Sequence, residues 1–210
     1  MLQGSPRGGA TGHGRSRSVR RRRQAVIGEA AEAIHSGLVV GIPTDTVYGL
    51  GVDPQEREAV SRLFEIKGRP EHIPVGLLVA TVEQAKSIGE IGEAGEELAR
   101  KHWPGPLTMV VKPRVILSDW VGDTYLRTVG IRVPDHPVAQ ELLERTGPLA
   151  VTSANRSGGK EALSDTEARR TFGEEIAVYL EGRCSGGEAS TVVDVTGDRP
   201  VVLRKGPVPI

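Results

Sequence analysis

The amino-acid sequence predicts an α/β or α+β domain with a twisted mixed sheet and flanking helices. From Gln24 onward, short apolar runs of strand length alternate with repeats that place apolar residues on one helical face. The 27 glycines and 14 prolines separate these segments at short intervals, as expected for tight turns. A chain of 210 residues is also long enough to form one large domain with a substantial core.

Residues 1–23 differ from the rest of the chain and are predicted to form a disordered tail. They contain no acidic residue and seven arginines, which are Arg7, Arg15, Arg17, Arg20, Arg21, Arg22 and Arg23. One interpretation is an arm that binds nucleic acid, because an arginine run attracts phosphates. We favour a dispensable extension, because such runs are common and unspecific. Residues 24–210 then form the folded domain.

Composition excludes several classes of protein. Removing the seven arginines of the tail leaves 20 basic residues against 27 acidic ones, so the domain is not a general polyanion-binding surface. An aromatic content of 3% argues against a base-stacking platform. Cys184 is the only cysteine, which rules out an internal disulfide and a thiolate zinc site. No apolar run reaches membrane-spanning length, so we expect a cytoplasmic protein with no membrane segment.

The domain is predicted to begin with two helices separated by a strand. The first helix ends near Gly37 and places four apolar residues on one face, which are Ile27, Ala30, Ala31 and Ile34. The second helix is predicted to begin at Asp53-Pro54, because an aspartate N-cap followed by proline favours a helix start. It delivers Lys67, and Gly68 ends it, so the lysine is expected at the end of an element.

The remaining segments complete the mixed pattern. Strands are predicted over residues 38–42, 75–80, 107–112, 126–133, 149–152, 176–180, 191–195 and 201–204, and helices over residues 81–87, 94–102 and 137–146. The Trp-Pro-Gly-Pro segment that precedes residue 107 is predicted to be a rigid turn that shapes the wall of a pocket.

Two short segments carry the strongest chemical signal in the chain. Lys67 and Arg69 are separated by one glycine at the end of a helix, and two cations in this arrangement can clamp an anion. Ser153 and Asn155 follow a predicted strand and add a hydroxyl and an amide, which bind phosphate oxygens, a ribose or a metal-bound water. Neither segment is specific alone.

Further polar residues fall beside other predicted strands. In the loop over residues 43–51, the hydroxyl of Thr46 and the glycine backbone can approach a ligand, although an ordinary turn closed by Asp45 explains the loop equally well. Strand alternation places Thr128 and Arg132 on one face. If Arg132 is buried it needs an anionic partner, which is either an acidic side chain of the protein or a carboxylate ligand.

Several cations are therefore expected near the ends of strands and helices. Ser190 opens one of the last strands and Arg204 closes the final one, and together with Lys67, Arg69 and Arg132 they suggest a pocket for a polyphosphate and a carboxylate. The chain contains no Walker A motif, no Gly-x-Gly-x-x-Gly opening a helix and no Gly-x-Ser-x-Gly elbow. A phosphate-binding site must therefore use another architecture.

In combination, these segments resemble the YrdC/TsaC family, the threonylcarbamoyl-AMP synthases, over about residues 24–208. The resemblance rests on seven segments in the family's order, which are Pro-Thr-Asp-Thr-Val-Tyr-Gly-Leu, Lys-Gly-Arg-Pro, Trp-Pro-Gly-Pro-Leu-Thr, Ile-Arg-Val-Pro-Asp-His-Pro, Thr-Ser-Ala-Asn-Arg-Ser-Gly, Ser-Thr-Val-Val-Asp and Leu-Arg-Lys-Gly-Pro. It implies a YrdC-like twisted mixed sheet with a deep concave face for the ligand. It also implies conversion of L-threonine, bicarbonate and ATP to threonylcarbamoyl-AMP and pyrophosphate with Mg²⁺.

The resemblance further implies partners and residue roles. The product feeds a downstream tRNA threonylcarbamoyl transferase complex that forms N6-threonylcarbamoyladenosine in tRNA. By motif position, the residues on the threonine side are Thr46, Arg132, Ser153 and Ser190, and those on the ATP side are Lys67, Arg69, Thr128, Asn155 and Arg204. Lys67 and Arg69 are expected to act in catalysis by neutralising charge. No side chain is assigned as a metal ligand, so Mg²⁺ is expected to accompany ATP.

Two departures and two alternatives remain at this point. Many family members have a polar residue in place of Ile73 and some have His in place of Leu78, so this chain lacks two ligand contacts available to them. The first alternative is a module of the same fold that binds double-stranded RNA or tRNA. The second is a carbamoyl-transfer relative of the kind found in hydrogenase maturation, although those chains carry zinc-finger cysteines and this one has only Cys184.

Overall fold

The sheet is mixed, as predicted, and the α/β class is confirmed. The computed structural model describes residues 12–68, 74–118 and 120–210, and within them ten strands and six α-helices. The strands are β1 (Val40–Ile42), β2 (Gly49–Val52), β3 (Gly76–Leu78), β4 (Gly89–Glu90), β5 (Leu107–Pro113), β6 (Val129–Arg132), β7 (Leu149–Ser153), β8 (Val178–Tyr179), β9 (Thr191–Asp194) and β10 (Val201–Arg204). The helices are α1 (Gly12–His35), α2 (Arg57–Lys67), α3 (Val82–Ile88), α4 (Glu93–His102), α5 (Pro137–Thr146) and α6 (Asp165–Phe172).

The order of the strands brings distant parts of the chain together. Nine strands lie in the order β10-β9-β5-β6-β3-β7-β2-β1-β8, and β4 pairs with β5 beside this path. The pairs β1–β8, β3–β6 and β5–β9 are parallel, and the other pairs are antiparallel. Register places Ser153 opposite Gly49 and Arg132 opposite Leu78. Arg132 on β6 and Ser153 on β7 therefore lie on strands that are separated only by β3.

Helices cover the sheet through two apolar clusters. Helices α1 and α5 pack together with β1 and β8 in one cluster, in which Ile27, Leu142 and Leu149 are inaccessible to solvent. The other cluster gathers the apolar residues of α2, α3, α4 and α6 with the central strands. Burial of this apolar surface is the main stabilising contribution to the fold. None of the helices in the described ranges combines the length and the apolar character needed to cross a membrane.

The first helix begins earlier than expected. Helix α1 starts at Gly12, so residues 12–23 are helical, and the prediction of a disordered tail is corrected for them. Arginine is a good helix former, and this segment continues directly into the buried face of the helix. The side chain of Arg23 also lies 3.5 Å from that of Glu141 on α5. Residues 1–11 lie outside the described part of the chain.

The predicted start of the second helix at Asp53 is wrong. Helix α2 begins at Arg57, because Asp53 Oδ1 accepts the backbone N–H of Gln55 at 2.8 Å and closes a turn before the helix. The predicted end is confirmed, since Gly68 has a φ of 60° and its backbone N–H bonds to carbonyls of the last turn.

Strand β2 and helix α6 lie in segments for which no regular structure was predicted. Strand β2 reads Gly-Leu-Gly-Val, and two glycines in four residues conceal a strand pattern. Helix α6 buries only Ala168 and Phe172, too few apolar positions for a recognisable stripe. Its N-cap follows the expected chemistry, because Ser164 Oγ accepts the backbone N–H of Glu167 at 3.2 Å.

Candidate functional site

A cavity of about 400 Å³ opens on the sheet and gathers most of the predicted site residues. Residues of seven strands, β2, β3, β5, β6, β7, β9 and β10, contribute to its wall. Six predicted site residues line it, which are Thr46, Thr128, Arg132, Ser153, Ser190 and Arg204. The volume suits a small organic ligand, and the lining combines apolar strand residues with a few convergent polar groups.

Arg132 is fixed by three protein partners on one side of the cavity. Its Nε donates to the backbone oxygen of Gly105 at 3.1 Å, its Nη1 donates to Thr46 Oγ1 at 2.8 Å, and its Nη2 forms an ion pair with Asp45 Oδ1. Gly105 belongs to the Trp-Pro-Gly-Pro turn, which contacts Arg132 but contributes no residue to the cavity lining, so its role in shaping the wall stays a prediction. The three bonds use three of the five N–H donors of a guanidinium, so Arg132 retains donors for a ligand.

The ion pair is buried and incompletely satisfied. The side chains of Arg132 and Asp45 are 8% and 10% exposed. Burial lowers the pKa of the Arg132 guanidinium, and the adjacent Asp45 carboxylate acts in the opposite direction. Asp45 Oδ1 also accepts the backbone N–H of Asp135 at 3.0 Å, whereas Asp45 Oδ2 is buried with no hydrogen-bond partner in the described structure. Of the two predicted partners of Arg132, the acidic side chain is therefore present, and the carboxylate ligand stays a prediction.

The turn after β1 presents Thr46 beside Arg132. Thr44 and Thr46 are 3% and 1% exposed, and their hydroxyl oxygens lie 3.0 Å apart. Thr44 Oγ1 donates to the backbone oxygen of Val47 at 2.7 Å and accepts the backbone N–H of Thr46 at 3.1 Å. Side-chain hydrogen bonds of this kind hold an irregular loop in one conformation. The loop is closed by Thr44, whereas the sequence suggested Asp45 for that role.

Ser190 and Arg204 form a second polar group on the cavity wall. Arg204 Nε and Nη2 donate to the backbone oxygen of Ser190 at 3.1 and 2.9 Å, and the hydroxyls of Ser190 and Thr108 lie 2.8 Å apart. Gly206 allows the chain to pass this close, because a Cβ there would lie 2.5 Å from the backbone nitrogen of Thr191.

Lys67 lies behind the cavity wall and holds the turn after β7. Its Nζ donates to the backbone oxygens of Ser153 and Asn155 at 2.5 and 2.8 Å, and it lies 3.1 Å from Asn155 Oδ1. Asn155 Oδ1 also accepts from Ser153 Oγ at 2.7 Å, while Asn155 Nδ2 donates to the backbone oxygens of Arg156 and Gly159. These contacts occupy the hydrogen-bonding positions of the Asn155 amide, so it supports the turn.

The structure thus divides the predicted site into two layers. Thr46, Thr128, Arg132, Ser153, Ser190 and Arg204 reach the cavity, whereas Lys67 and Asn155 lie outside its lining. Arg69 and Ile73 fall outside the described residues. Leu78 is buried and lines the cavity, so it contributes an apolar surface at that point. The specific roles of these residues stay predictions.

The structure adds candidate site residues that the sequence did not single out. Thr44 and Thr108 both line the cavity, as do three acidic side chains, which are those of Asp123, Glu161 and Asp194. Strand alternation from the predicted site residue Ser190 would have found Asp194, because Ser190, Val192 and Asp194 all line the cavity. Thr108, Asp123 and Glu161 had no such signal, because no predicted site residue shares a strand with them.

Comparison with known proteins agrees with the motifs. A family profile described as "Telomere recombination" (Sua5_yciO_yrdC) matches residues 32–206. A Mycobacterium tuberculosis protein, named provisionally as a threonylcarbamoyl-AMP synthase, is 44% identical over 181 residues, which cover 85% of this chain and 83% of that protein. The Pyrococcus abyssi threonylcarbamoyl-AMP synthase is 40% identical over 189 residues, which cover 86% of this chain and 54% of that protein.

A solved structure shows the same fold. The crystal structure of Pyrococcus abyssi Sua5 complexed with L-threonine matches with a TM-score of 0.83 and 39% identity, over 87% of this chain and 54% of that one. The chain spans about half the length of the Pyrococcus abyssi chains in both comparisons and most of the mycobacterial protein. With the profile covering most of its length, this chain belongs to the Sua5/YciO/YrdC family.

Proposed function

We propose that this protein is a cytoplasmic threonylcarbamoyl-AMP synthase. It converts L-threonine, bicarbonate and ATP to threonylcarbamoyl-AMP and pyrophosphate, as the first step of N6-threonylcarbamoyladenosine formation in tRNA. The observation that carries the proposal is the cavity in which Arg132 with Thr46 and Arg204 with Ser190 converge on one sheet, in a chain 44% identical to a relative named for this activity. The product would pass to a downstream tRNA threonylcarbamoyl transferase complex.

The first chemical step joins threonine to bicarbonate. The neutral amine of threonine attacks the carbon of bicarbonate, or of CO₂ derived from it. A carbamate forms with loss of water in the bicarbonate case and with release of a proton to solvent in the CO₂ case. Arg132 would hold the threonine carboxylate with its remaining N–H donors, because a planar guanidinium matches a carboxylate. Thr46, Ser153 and Ser190 would orient the rest of the amino acid in the cavity.

The second step transfers the adenylyl group. A carbamate oxygen attacks the α-phosphorus of ATP, the new O–P bond forms, and the bond to pyrophosphate breaks. Both reactants are anions, so the site must neutralise their repulsion. Arg204 at the cavity wall would supply positive charge, as would Arg69, which follows α2 in the sequence. Lys67 would fix the turn that carries Ser153. Neither step needs a covalent nucleophile, and positioning with electrostatic stabilisation would provide the rate enhancement.

The acidic residues of the cavity fit a magnesium ion that arrives with ATP. Among the described residues, no cluster of three or more His, Cys, Asp or Glu side chains could hold a metal ion. Mg²⁺ in nucleotide sites is usually held by substrate phosphates and only one or two carboxylates. Asp123, Glu161 and Asp194 lie on the cavity wall and offer such carboxylates. When bound with ATP, the ion would supply further neutralisation of phosphate charge.

Pyrophosphate release tests the proposal directly. The purified protein is incubated with ATP and Mg²⁺, with and without L-threonine and bicarbonate. We expect release that requires both, and mass spectrometry should detect threonylcarbamoyl-AMP in the same reactions. Release that ignores threonine, or no release from folded protein, would contradict the proposal.

RNA binding is the second candidate function, and α1 is the feature that favours it. Arg20 and Arg21 lie on an exposed part of that helix. The cavity is a poorer surface for RNA, since its volume of about 400 Å³ suits a small organic ligand. We therefore place any RNA contact on α1, separate from the synthase site.

A further inference from the structure

The hydroxyl hydrogens of the turn after β1 have only one consistent arrangement. Thr44 Oγ1 lies 2.7 Å from the backbone oxygen of Val47, which can only accept, so the hydrogen of Thr44 points there. Thr44 Oγ1 therefore acts as an acceptor toward its other two partners, which are the backbone N–H of Thr46 at 3.1 Å and Thr46 Oγ1 at 3.0 Å. The single hydrogen and both lone pairs of Thr44 Oγ1 are then engaged in hydrogen bonds.

This arrangement fixes the hydrogen of Thr46 as well. Because Thr44 accepts in the contact between the two hydroxyls, Thr46 must donate its hydrogen to Thr44. Arg132 Nη1 donates to Thr46 Oγ1 at 2.8 Å, which uses one of its two lone pairs. The second lone pair of Thr46 Oγ1 is not used by any of these contacts, and both threonines line the cavity. Thr46 therefore offers the cavity an acceptor, while the neighbouring Arg132 offers only donors.

We propose that Thr44 is a positioning residue that fixes this polarity and so makes the site complementary to an α-amino acid. An acceptor beside a donor fork is complementary to a molecule that carries an N–H or O–H group next to a carboxylate. In the proposed reaction, Thr46 would accept an N–H of the threonine amine while Arg132 binds the carboxylate. The lone pair of the amine nitrogen then remains available to attack the carbon of bicarbonate or CO₂, as carbamate formation requires.

Burial makes the polarity of Thr46 costly to reverse. Thr44 and Thr46 have almost no accessible surface, and they line the cavity, so once a ligand fills the cavity no water remains to replace a lost partner in the chain of hydrogen bonds. Without the Thr44 hydroxyl, the hydrogen of the Thr46 hydroxyl would lose its acceptor. The Thr46 hydroxyl would then rotate and point its hydrogen into the cavity. A hydrogen there opposes an N–H of the ligand, and a buried mismatch of this kind weakens binding strongly.

The test compares Thr44→Val, which keeps the shape and loses the hydroxyl, with Thr44→Ser, which keeps the hydroxyl. We expect Thr44→Val to raise the KM for threonine and its calorimetric Kd roughly tenfold, with little change in the KM for ATP or in kcat at saturating threonine. Thr44→Ser should resemble the wild type. Thr44→Ala repeats the hydroxyl removal without a branched side chain, in case Thr44→Val does not fold.

Three outcomes would overturn the proposal. They are an unchanged threonine KM in Thr44→Val and Thr44→Ala, an equal rise in the KM for ATP, and a threonine defect in Thr44→Ser as large as in Thr44→Val. The inference rests on the proposed function for the identity of the ligand. Wild-type protein that releases no pyrophosphate with threonine would refute that function, whereas an active wild type with one of the three outcomes refutes only the role of Thr44.

Discussion

The ammonium of Lys67 lies 2.8 Å from the backbone oxygen of Asn155 and 3.1 Å from its side-chain oxygen, so the end of α2 is tied to the turn after β7. Lys67 is only 3% exposed. A buried lysine usually needs such partners, because its charge is otherwise poorly solvated. The two motif segments that stand far apart in the sequence are thus one structural unit, and a change in either should affect both.

Lys67→Ala is expected to reduce threonine-dependent pyrophosphate release by roughly a hundredfold, because the turn that carries Ser153 would lose its anchor. Loss of a donor to buried oxygens should also lower the free energy of unfolding by about 1–3 kcal/mol. Turnover assays and urea unfolding measure the two effects. Lys86→Ala is the control, since Lys86 forms an exposed ion pair with Glu96. Normal turnover in Lys67→Ala would show that Lys67 does not contribute to the activity of the site.

Arg132→Gln is expected to raise the KM for threonine more than the KM for ATP, because the guanidinium would bind the threonine carboxylate. It also leaves the buried Asp45 carboxylate without its cation, which should cost about 3–5 kcal/mol of folding free energy. The double variant Asp45→Asn/Arg132→Gln removes both charges and should recover part of that stability without recovering threonine binding. Equal changes in both KM values would mean that Arg132 has only a structural role.

Gly206→Ala is expected to reduce activity, because its Cβ would lie 2.5 Å from the backbone nitrogen of Thr191 and 2.6 Å from the backbone oxygen of Ala189. The segment that carries Ser190 would have to move. Thermal unfolding and steady-state kinetics of the variant measure the effect. Gly197→Ala is the matched control, since nothing lies within 4 Å of a Cβ there. A Gly206→Ala protein with the kinetics of Gly197→Ala would show that this close approach does not position the site.

Cys184 is expected to be unreactive in the folded protein. Burial raises the pKa of its thiol from 9.0 to about 11, so a thiol reagent at pH 8 should label it only after denaturation. The unfolded chain releases this proton at lower pH than the folded one, so stability should fall as pH rises from about 9 to 11, by roughly 2 kcal/mol. Urea unfolding against pH measures this loss. This loss of stability at high pH should be absent in Cys184→Ala. Rapid labelling of the native wild-type protein would contradict the raised pKa of the thiol.

Deletion of residues 1–23 is expected to leave kcat and both KM values unchanged, because the described cavity lining begins at Thr44. If α1 contacts RNA, the same deletion should reduce both the RNA affinity and its dependence on salt. Filter binding at several salt concentrations separates the two effects. A loss of synthase activity would show that the segment belongs to the catalytic site.

Much of the fold follows from local patterns. The apolar face of α1, the left-handed Gly68 and the apolar strand β7 are each encoded in a few neighbouring residues, since helix and strand periodicity and capping act over short range. Strand β2 was missed because its glycines carry no periodic signal, and its place is set by pairing with β1 and β7. The start of α1 was missed because the helix extends toward the N-terminus well beyond Ile27, where its buried face begins.

The sequence by itself determined the family and the α/β class, because seven ordered segments are specific in combination, and it singled out six polar residues that line the cavity. Only the tertiary structure decided what those residues touch. It paired Arg132 with Asp45, placed Lys67 behind the wall and brought the Thr44 hydroxyl against Thr46 and the backbone oxygen of Val47. Contacts across strands depend on register and burial, which no local pattern records, and they determine which atoms remain available to a ligand.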